Sequence, residues 1–352
     1  LQHSANLKES IMRLKFILRK YRLKLGKCFL DKKNTQATPV FPPQSILFLR
    51  QDGKIGDYIV SSFVFREIKK QSPQTRIGVV CSAKNAYLFE QNPNIDALYL
   101  VKTKDILDYY RCGKKLAAEQ YDVVIDPTLT LRNRDLLFLR TIGAKSYIGY
   151  QKEDYQLFDR NIPAQSVHYV EIYRQALEIA GFSHINTEYD MPSNAQSSQA
   201  VAKFLAAHQL EDYVAVNFFG AGSARRFNED SMVDLLDHLS AQTKSIVLLT
   251  FPAVTEKMQA LAKRYANVFV FEKTQTVFDT IELIKHSKMV VSPDTAIVHI
   301  ASGFHKPTVA FYSLDEENFV HWQPNNSAKT QIIRFDKSVN EVDFKQVKTD
   351  LV

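Results

Sequence analysis

Cysteine is scarce in this chain, and the few cysteines that occur lie far apart. Cys28, Cys81 and Cys112 are the only three among 352 residues, and none of them forms a C-x-x-C pair. This distribution argues against a disulfide framework and against a thiolate metal site. It favours a reducing compartment in which the thiols are buried or unreacted.

Long apolar runs and nucleotide-loop signatures are also absent. No run approaches the roughly 20 apolar residues that span a bilayer, and no apolar core is followed by a small-residue cleavage site. The sequence contains neither a Walker loop nor the G-x-G-x-x-G fingerprint, which argues against a P-loop enzyme and a dehydrogenase. We therefore predict a cytoplasmic protein.

Positive charge is concentrated near one end of the chain. Residues 8–33 contain ten Lys and Arg against Glu9 and Asp31, a balance of +8, whereas the whole chain carries +7. The rest is close to neutral, which argues against nucleic acid as a partner and for a local anionic one. We predict contact with an anionic membrane surface through residues 7–33.

The basic segment has a helical apolar pattern. Spacings of four and three residues relate Leu7, Ile11, Leu14, Leu18, Tyr21 and Leu25. One interpretation is an amphipathic helix on anionic lipid, which would make the protein peripheral to the cytoplasmic face of the inner membrane. The other is a helix packed on its own domain or on a partner chain, with its basic face in solvent.

The remaining sequence predicts two α/β domains. Residues 31–45 contain three prolines and little periodicity, and they predict a linker. Apolar strands then alternate with helical patterns, which is typical of a parallel sheet covered on both faces. Two series of strands are predicted, separated by a turn-rich segment at 190–199: 46–49, 77–81, 97–101, 123–125 and 146–149, then 213–218, 245–249, 268–271, 289–292 and 308–311.

We therefore divide the chain into four parts. Residues 1–45 form a basic amphipathic helix and linker, 46–190 a first Rossmann-like domain, and 191–335 a second one. The tail, 336–352, is expected to pack back on the first domain.

The first ligand loop is predicted at 50–57, Arg-Gln-Asp-Gly-Lys-Ile-Gly-Asp. It follows an apolar strand and precedes a helix, and open α/β sheets bind ligands at such a position because backbone N–H groups and a positive helix end converge there. Asp57 closes the loop and is the first candidate for chemistry.

Two further loops lie in the second series. Residues 220–227, Gly-Ala-Gly-Ser-Ala-Arg-Arg-Phe, combine glycine with arginines and suit a diphosphate. Residues 292–303 run from a strand into a helix whose first turn offers Asp294 and Thr295 for capping and phosphate binding. Taken alone, Asp294 is better explained as an N-cap and His299 as a half-buried histidine.

Together these segments resemble glycosyltransferase family 9, the heptosyltransferases. The resemblance rests on R-x-D-x-K-I-G-D at 50–57, the basic loop near 225, and S-x-D-T-x-x-x-H at 292–299. It extends from about 46 to 315 and leaves the amphipathic tail outside. Further matches occur at 121–126, 148–150 and 168–173.

The resemblance implies a GT-B fold, in which two Rossmann-like domains face each other across a cleft. The first binds the acceptor and the second the nucleotide sugar. It implies inverting transfer of heptose from ADP-heptose to a lipid-linked oligosaccharide acceptor, the lipopolysaccharide inner core, with no metal and no cofactor. The motifs then make Asp57 the general base, Arg225 a diphosphate contact, and Asp294, Thr295, Ala296 and His299 nucleotide-sugar contacts.

Other polar residues complete the predicted site. Arg132 and Arg134 are assigned to the acceptor because guanidinium forks match acidic sugars and phosphates, with solvated surface arginines as the alternative. Lys54 and Asp126 are assigned to the acceptor as well. Glu256 follows a predicted strand of the second domain, where a carboxylate can meet a ribose hydroxyl of the nucleotide sugar.

Two departures from the family pattern concern the donor. The family's D-T-G becomes Asp-Thr-Ala at 294–296, which is mild if Ala296 has a helical φ and costly if its φ is left-handed. The usual K-x-W-P becomes Arg-Arg-Phe-Asn at 225–228. Alternatives therefore stay open: another nucleotide sugar or a capsule-type polysaccharide acceptor, or a non-catalytic nucleotide-sugar-binding protein attached to the membrane.

Overall fold

The structure is a computed structural model that describes residues 21–36 and 39–351. Its contacts divide these residues into two compact units. The first contains the described residues up to Gly53 together with Glu67–Gln165 and Ile172–Ile185. The second contains Lys54–Arg66, Ser166–Glu171 and the described residues from Asn186 onward. The boundaries drawn from the sequence at 45, 190 and 335 stay a prediction.

The first unit is built on a six-stranded parallel sheet in the order β3-β2-β1-β4-β5-β6. Its four inner strands, β2, β1, β4 and β5, are largely apolar and almost fully buried, as expected when helices cover both faces. The strands are β1 Ser45–Arg50, β2 Arg76–Cys81, β3 Ala97–Leu100, β4 Val123–Asp126, β5 Ser146–Tyr150 and β6 Arg160–Ile162. The helices up to residue 179 are α1 (residues 21–30), α2 Ile55–Ser61, α3 Phe63–Gln71, α4 Ala86–Glu90, α5 Ile106–Glu119, α6 Asn133–Ile142 and α7 Tyr169–Ile179.

The second unit repeats the same architecture. Its sheet has the order β12-β11-β10-β7-β8-β9, which becomes the Rossmann order when strands are counted from β7. The strands are β7 Val214–Val216, β8 Ile246–Leu248, β9 Val268–Val270, β10 Met289–Pro293, β11 Thr308–Ser313 and β12 Thr330–Phe335. The helices are α8 Ala195–Ala207, α9 Glu229–Ser240, α10 Thr255–Ala262, α11 Val277–His286, α12 Ala296–Gly303 and α13 Glu316–Trp322.

The predicted α/β class and the two Rossmann-like sheets are confirmed, and all ten predicted strands are present. Two strands were missed, and both lie at a sheet edge. β6 is the three-residue segment Arg-Asn-Ile, and β12 contains Gln331 and Arg334. Edge strands need burial on fewer sides, so their sequences lack the continuous apolar run that revealed the others.

The chain termini differ from expectation in one respect. The prediction that residues 336–352 pack back on the first domain is wrong, because Val339, Phe344 and Val347 are buried in the core of the second unit. His238 Nε2 also lies 2.8 Å from the Val347 carbonyl oxygen.

Most of the predicted amphipathic helix falls on residues 1–20, outside the described residues. Among residues 21–36 and 39–351, no helix has both the length and the apolar content needed to cross a bilayer.

Candidate active site

Helix α2 carries Asp57 in its first turn, immediately after the loop that leaves β1. Gly53 has a φ of +74°, a left-handed conformation that favours glycine, so the glycine of this loop has a conformational reason. Lys54 is the N-cap residue of α2, and its Nζ lies 3.8 Å from Asp57 Oδ2. The Asp57 side chain is 16% exposed, whereas that of Lys54 is 67% exposed. The carboxylate is thus largely shielded, beside an exposed cation and a helix N-terminus.

The first turn of α2 packs against the first turn of α12 within the second unit. A Cβ placed on Gly56 would lie 3.4 Å from His299 Cδ2 and 3.6 Å from Ala296 Cα. The two helices therefore approach closely at the residue preceding Asp57. This packing brings two motifs together that are more than 230 residues apart in the sequence.

The N-terminus of α12 is fixed by a buried polar network. Thr295 is the N-cap residue, and its Oγ1 accepts a hydrogen bond from Ile297 N at 3.2 Å. Asn217, at the end of β7, donates from Nδ2 to Ser292 Oγ at 3.0 Å and to Thr295 Oγ1 at 3.4 Å. Since β7 and β10 adjoin where the strand order reverses, this network lies at the topological switch point, where such sheets bind ligands.

Ala296 is the first residue of α12 and is absent from the described non-glycine residues with positive φ. Ala296 therefore does not need a left-handed φ, and its replacement of the family's glycine costs the backbone little. The Ala296 methyl lies 3.8 Å from the Cβ position of Gly56, so it points toward the first turn of α2.

Arg225 and Asp294 form an ion pair. Arg225 Nη1 donates to Asp294 Oδ2 at 2.6 Å, and Asn318 Nδ2 donates to the same oxygen at 3.0 Å. The Asp294 side chain is only 8% exposed and that of Arg225 is 33% exposed. Burial raises the pKa of Asp294, and the Arg225 guanidinium opposes that rise. Asp294 is thus placed to hold the more accessible Arg225 in position.

The loop that carries Arg225 is closely packed. A Cβ on Gly220 would stand 2.5 Å from Arg225 Cβ, so a side chain at position 220 would displace the loop. Gly222 has a φ of +89° and leads into the 3₁₀ turn Ser223–Arg225. The glycines of this loop are therefore needed for its shape.

His299 is buried rather than open to a ligand. Its ring is 3% exposed and lies 6.4 Å from His168 and 5.8 Å from Trp322, measured between ring centroids. Burial lowers the pKa of His299 to about 3 and that of His168 to about 4. Both rings are neutral at physiological pH, and His168 Nε2 lies 3.1 Å from the Gln323 carbonyl oxygen. The packing of His299 supports the α2–α12 contact, and its predicted nucleotide contact stays a prediction.

The predicted acceptor residues in the first unit separate into two groups. Asp126 is 1% exposed, and its Oδ1 accepts from Thr128 N at 3.0 Å and from Thr128 Oγ1 at 2.7 Å. Burial raises the pKa of Asp126. Its carboxylate shapes the turn after β4 because it accepts both hydrogen bonds from Thr128. Arg132 and Arg134, in contrast, lie together at the N-terminus of α6 and line one cavity.

Glu256 lies in the first turn of α10 and is exposed. Nearby, Phe251 follows β8 and is 45% exposed, with its ring 5.5 Å from that of Phe219 after β7. Both aromatic residues stand at the carboxyl edge of the second sheet, where a purine can stack. In residues 21–36 and 39–351 no group of three or more His, Cys, Asp or Glu is arranged to hold a metal ion.

Sequence reasoning missed the two asparagines that organise this site. Asn217 directly follows an apolar strand, and a polar residue there was the available signal. Asn318 contacts Asp294 from the first turns of a helix 24 residues further along, and no local pattern indicates that contact.

Two Rossmann-type sheets, with a loop of glycine and arginine and a helix N-terminus at the switch point of the second, are the architecture of the GT-B class of glycosyltransferases. A family model for glycosyltransferase family 9 (heptosyltransferase) matches residues 109–349, and the chain belongs to this family and is a glycosyltransferase. It is 24% identical to the putative lipopolysaccharide heptosyltransferase 4 of Escherichia coli K12, over 94% of this chain and 92% of that protein.

Solved structures agree on the fold. The family 9 glycosyl transferase from Veillonella parvula superposes with a TM-score of 0.68 at 18% identity, covering 86% of this chain and 88% of the other. The E. coli ADP-heptose lipopolysaccharide heptosyltransferase II gives a TM-score of 0.66 at 16% identity, covering 86% and 96%.

Proposed function

We propose that this chain transfers heptose from ADP-heptose to a sugar of the lipopolysaccharide inner core, with inversion at the anomeric carbon and without a metal ion or cofactor. The observation that carries the proposal is the packing of α2 on α12, which sets Asp57 beside the N-terminus that follows the Arg225–Asp294 pair. The relatives support it, since they include a lipopolysaccharide heptosyltransferase and one structure named for ADP-heptose.

In this proposal Asp57 is the general base. An acceptor hydroxyl is a poor nucleophile, and a carboxylate within about 3 Å can take its proton as the new C–O bond forms. The helix N-terminus and Lys54 favour the ionised carboxylate, which makes it a weak base. Proton transfer therefore occurs late, as positive charge builds on the attacking oxygen.

The departing ADP is stabilised by fixed positive groups. The Arg225 guanidinium contacts the diphosphate, and the N–H groups of the first turn of α12 add the helix dipole. Thr295 caps that turn, and Asp294 orients Arg225. Phe251 stacks on the adenine, and Glu256 meets the ribose.

The acceptor is anchored in a membrane, and we propose that the enzyme works on the cytoplasmic face of the inner membrane. Three large apolar residues of α1 are strongly exposed, Tyr21 at 69%, Leu25 at 63% and Phe29 at 69%. They recur every four residues and therefore form one outward face of the helix. Lys and Arg flank them in residues 22–33, which suits an anionic lipid surface.

The test is incubation of the purified full chain with ADP-heptose and lipid acceptors of graded core length, followed by mass measurement. We expect a gain of one heptose on one acceptor length and no product with Asp57→Asn at unchanged melting temperature. Asp154→Asn, an exposed carboxylate elsewhere, is the matched control and should behave as the unmodified chain. Near-normal turnover by Asp57→Asn would contradict the assigned base.

A second candidate is a family 9 transferase with a different nucleotide sugar. The Ala296 methyl favours it, because it occupies space at the first turn of α12 that glycine would leave open. Thermal shifts with ADP, UDP and GDP separate the two, since a ligand that binds the native state raises its apparent stability. A larger shift with UDP or GDP than with ADP would replace the donor assignment.

A further inference from the structure

A basic cavity of about 640 Å³ lies in the first unit. Its volume is in the range of small-molecule sites. Among the described residues, its lining has four cations and no carboxylate: Arg22, Leu23, Lys104, Ile106, Arg132, Asn133 and Arg134. Such a lining is complementary to an anion.

Helix α1 forms one wall of this cavity and is fixed there. Asn133 Nδ2 donates to the Arg22 carbonyl oxygen at 2.8 Å, and Gly26 lies directly against the Asn133 side chain. Leu30, at the end of α1, packs on the hydrophobic core of the first unit. Arg22 is therefore held beside α6 by its backbone, and the cavity exists only because α1 is docked.

Two helix N-termini also border the cavity. α5 begins at Ile106 and α6 at Asn133, and the two helices follow parallel strands of the same sheet. Their N-termini consequently lie at the same edge, where both dipoles favour negative charge.

The nearby carboxylates are engaged in capping. Asp135 Oδ2 accepts from Arg132 N at 2.9 Å, and Asp108 Oδ2 accepts from Lys102 N at 2.7 Å. Asp135 Oδ1 also lies 3.4 Å from Arg134 Nε, which orients that guanidinium. These hydrogen bonds hold both carboxylates outside the lining of the cavity, whose charged side chains among the described residues are the four cations.

We propose that this cavity binds a phosphate monoester carried on a sugar of the acceptor, gripped between α1 and the N-termini of α5 and α6. Tetrahedral oxyanions match guanidinium forks and helix N-terminal N–H groups better than a neutral sugar does. The inference rests on the proposed function for the identity of the acceptor. It adds Arg22 and Lys104 to the acceptor site and makes α1 a part of that site.

The first experiment measures binding without turnover. Thermal shifts of the full chain are recorded in sodium phosphate and in sodium chloride at matched ionic strength. We expect phosphate to raise the melting temperature, and the combined substitutions Arg22→Gln and Lys104→Gln to remove that rise. Lys114→Gln, an exposed lysine further along α5, is the control and should keep it. Equal shifts in both salts, or a rise retained in the double variant, would overturn the phosphate site.

The second experiment identifies the source of the phosphate. KM is compared for a phosphorylated acceptor and for the same acceptor after phosphatase treatment. The unmodified chain should prefer the phosphorylated form by about tenfold or more, and the double variant should lose most of this preference. If phosphate raises the melting temperature but the two acceptors give equal KM, the site takes free phosphate and the acceptor assignment is wrong. If no ADP-heptose transfer occurs while phosphate binding persists, the proposed function fails and the anion site stands.

Discussion

Replacing Asp294 by asparagine should reduce kcat/KM much more than the free energy of unfolding. Asp294 is a buried carboxylate whose pKa is raised by burial despite its contact with Arg225. The protein therefore disfavours the charged form overall, and a neutral isostere removes that penalty. We expect the free energy of unfolding of Asp294→Asn to fall by no more than about 1 kcal/mol, the net value of one ordinary hydrogen bond.

Catalysis should suffer more, because the substitution releases Arg225. The ion pair at 2.6 Å is a charge-assisted hydrogen bond, and such bonds contribute about 1.5–3 kcal/mol. We use the lower part, about 1.5–2 kcal/mol, since the Arg225 side chain is 33% exposed and partly screened by solvent. This corresponds to a loss of about 10- to 30-fold in kcat/KM for the donor.

The assay combines urea unfolding with initial rates of ADP release over a range of ADP-heptose concentrations. A double-mutant cycle with Arg225→Ala tests the coupling, because Asp294→Asn should have little further effect once Arg225 is gone. A fall in stability of about 3 kcal/mol with unchanged kcat/KM would refute the reasoning. Fully additive losses in the cycle would also refute it, since they would mean that Asp294 does not act through Arg225.

Other substitutions test the packing, the titration and the exposed helix face. Gly56→Ala should keep stability and turnover, because the added methyl meets His299 at ordinary contact distance. Gly56→Val should lower the free energy of urea unfolding by about 1–3 kcal/mol and separate α2 from α12. Equal behaviour of the two variants would contradict the contact between these helices. His168 and His299 have pKa values lowered to about 4 and 3, so the unfolded chain takes up protons first as pH falls below about 6.5. The free energy of unfolding should then decrease toward pH 4 by about 1.4 kcal/mol per pH unit for each ring. His168→Gln should reduce this slope, measured by urea unfolding at several pH values. An unchanged slope would count against burial of a neutral ring. Phe29→Glu should weaken sedimentation with anionic vesicles about tenfold, with neutral vesicles as the control, and unchanged sedimentation would exclude this face as the membrane contact.

The fold was predictable because its central strands can be recognised from local sequence alone. A parallel strand covered on both faces must be apolar along its length, as in the run Ile46–Leu49 inside β1, so local sequence is enough to locate it. β6 and the tail at 336–352 have no such constraint. The tail's Phe344 and Val347 are separated by polar residues, and only their packing in the core of the second unit explains their burial.

The sequence predicted on which elements the candidate site residues lie, but it did not predict which of them contact one another. Local patterns placed Asp57 and Asp294 after strands, because a strand, a turn and a helix are neighbours in sequence. The ion pair between Arg225 and Asp294 spans 69 residues, and the α2–α12 contact at Gly56 depends on how the helices pack. His299 looks the same in sequence whether it meets a ligand or fills a core. The structure shows that its ring is buried, and its nucleotide contact stays a prediction.

Helix α1 shows how a sequence pattern can be correct and still leave its meaning open. The apolar spacing that ends at Tyr21 and Leu25 continues to Phe29, and this face is exposed. The helix docks on the first unit through a different side, formed by Leu23, Gly26 and Leu30. The two interpretations drawn from the sequence are therefore compatible, because packing on its own domain leaves the apolar stripe directed outward. The cations that surround this stripe are the reason why we propose an anionic lipid surface as its partner.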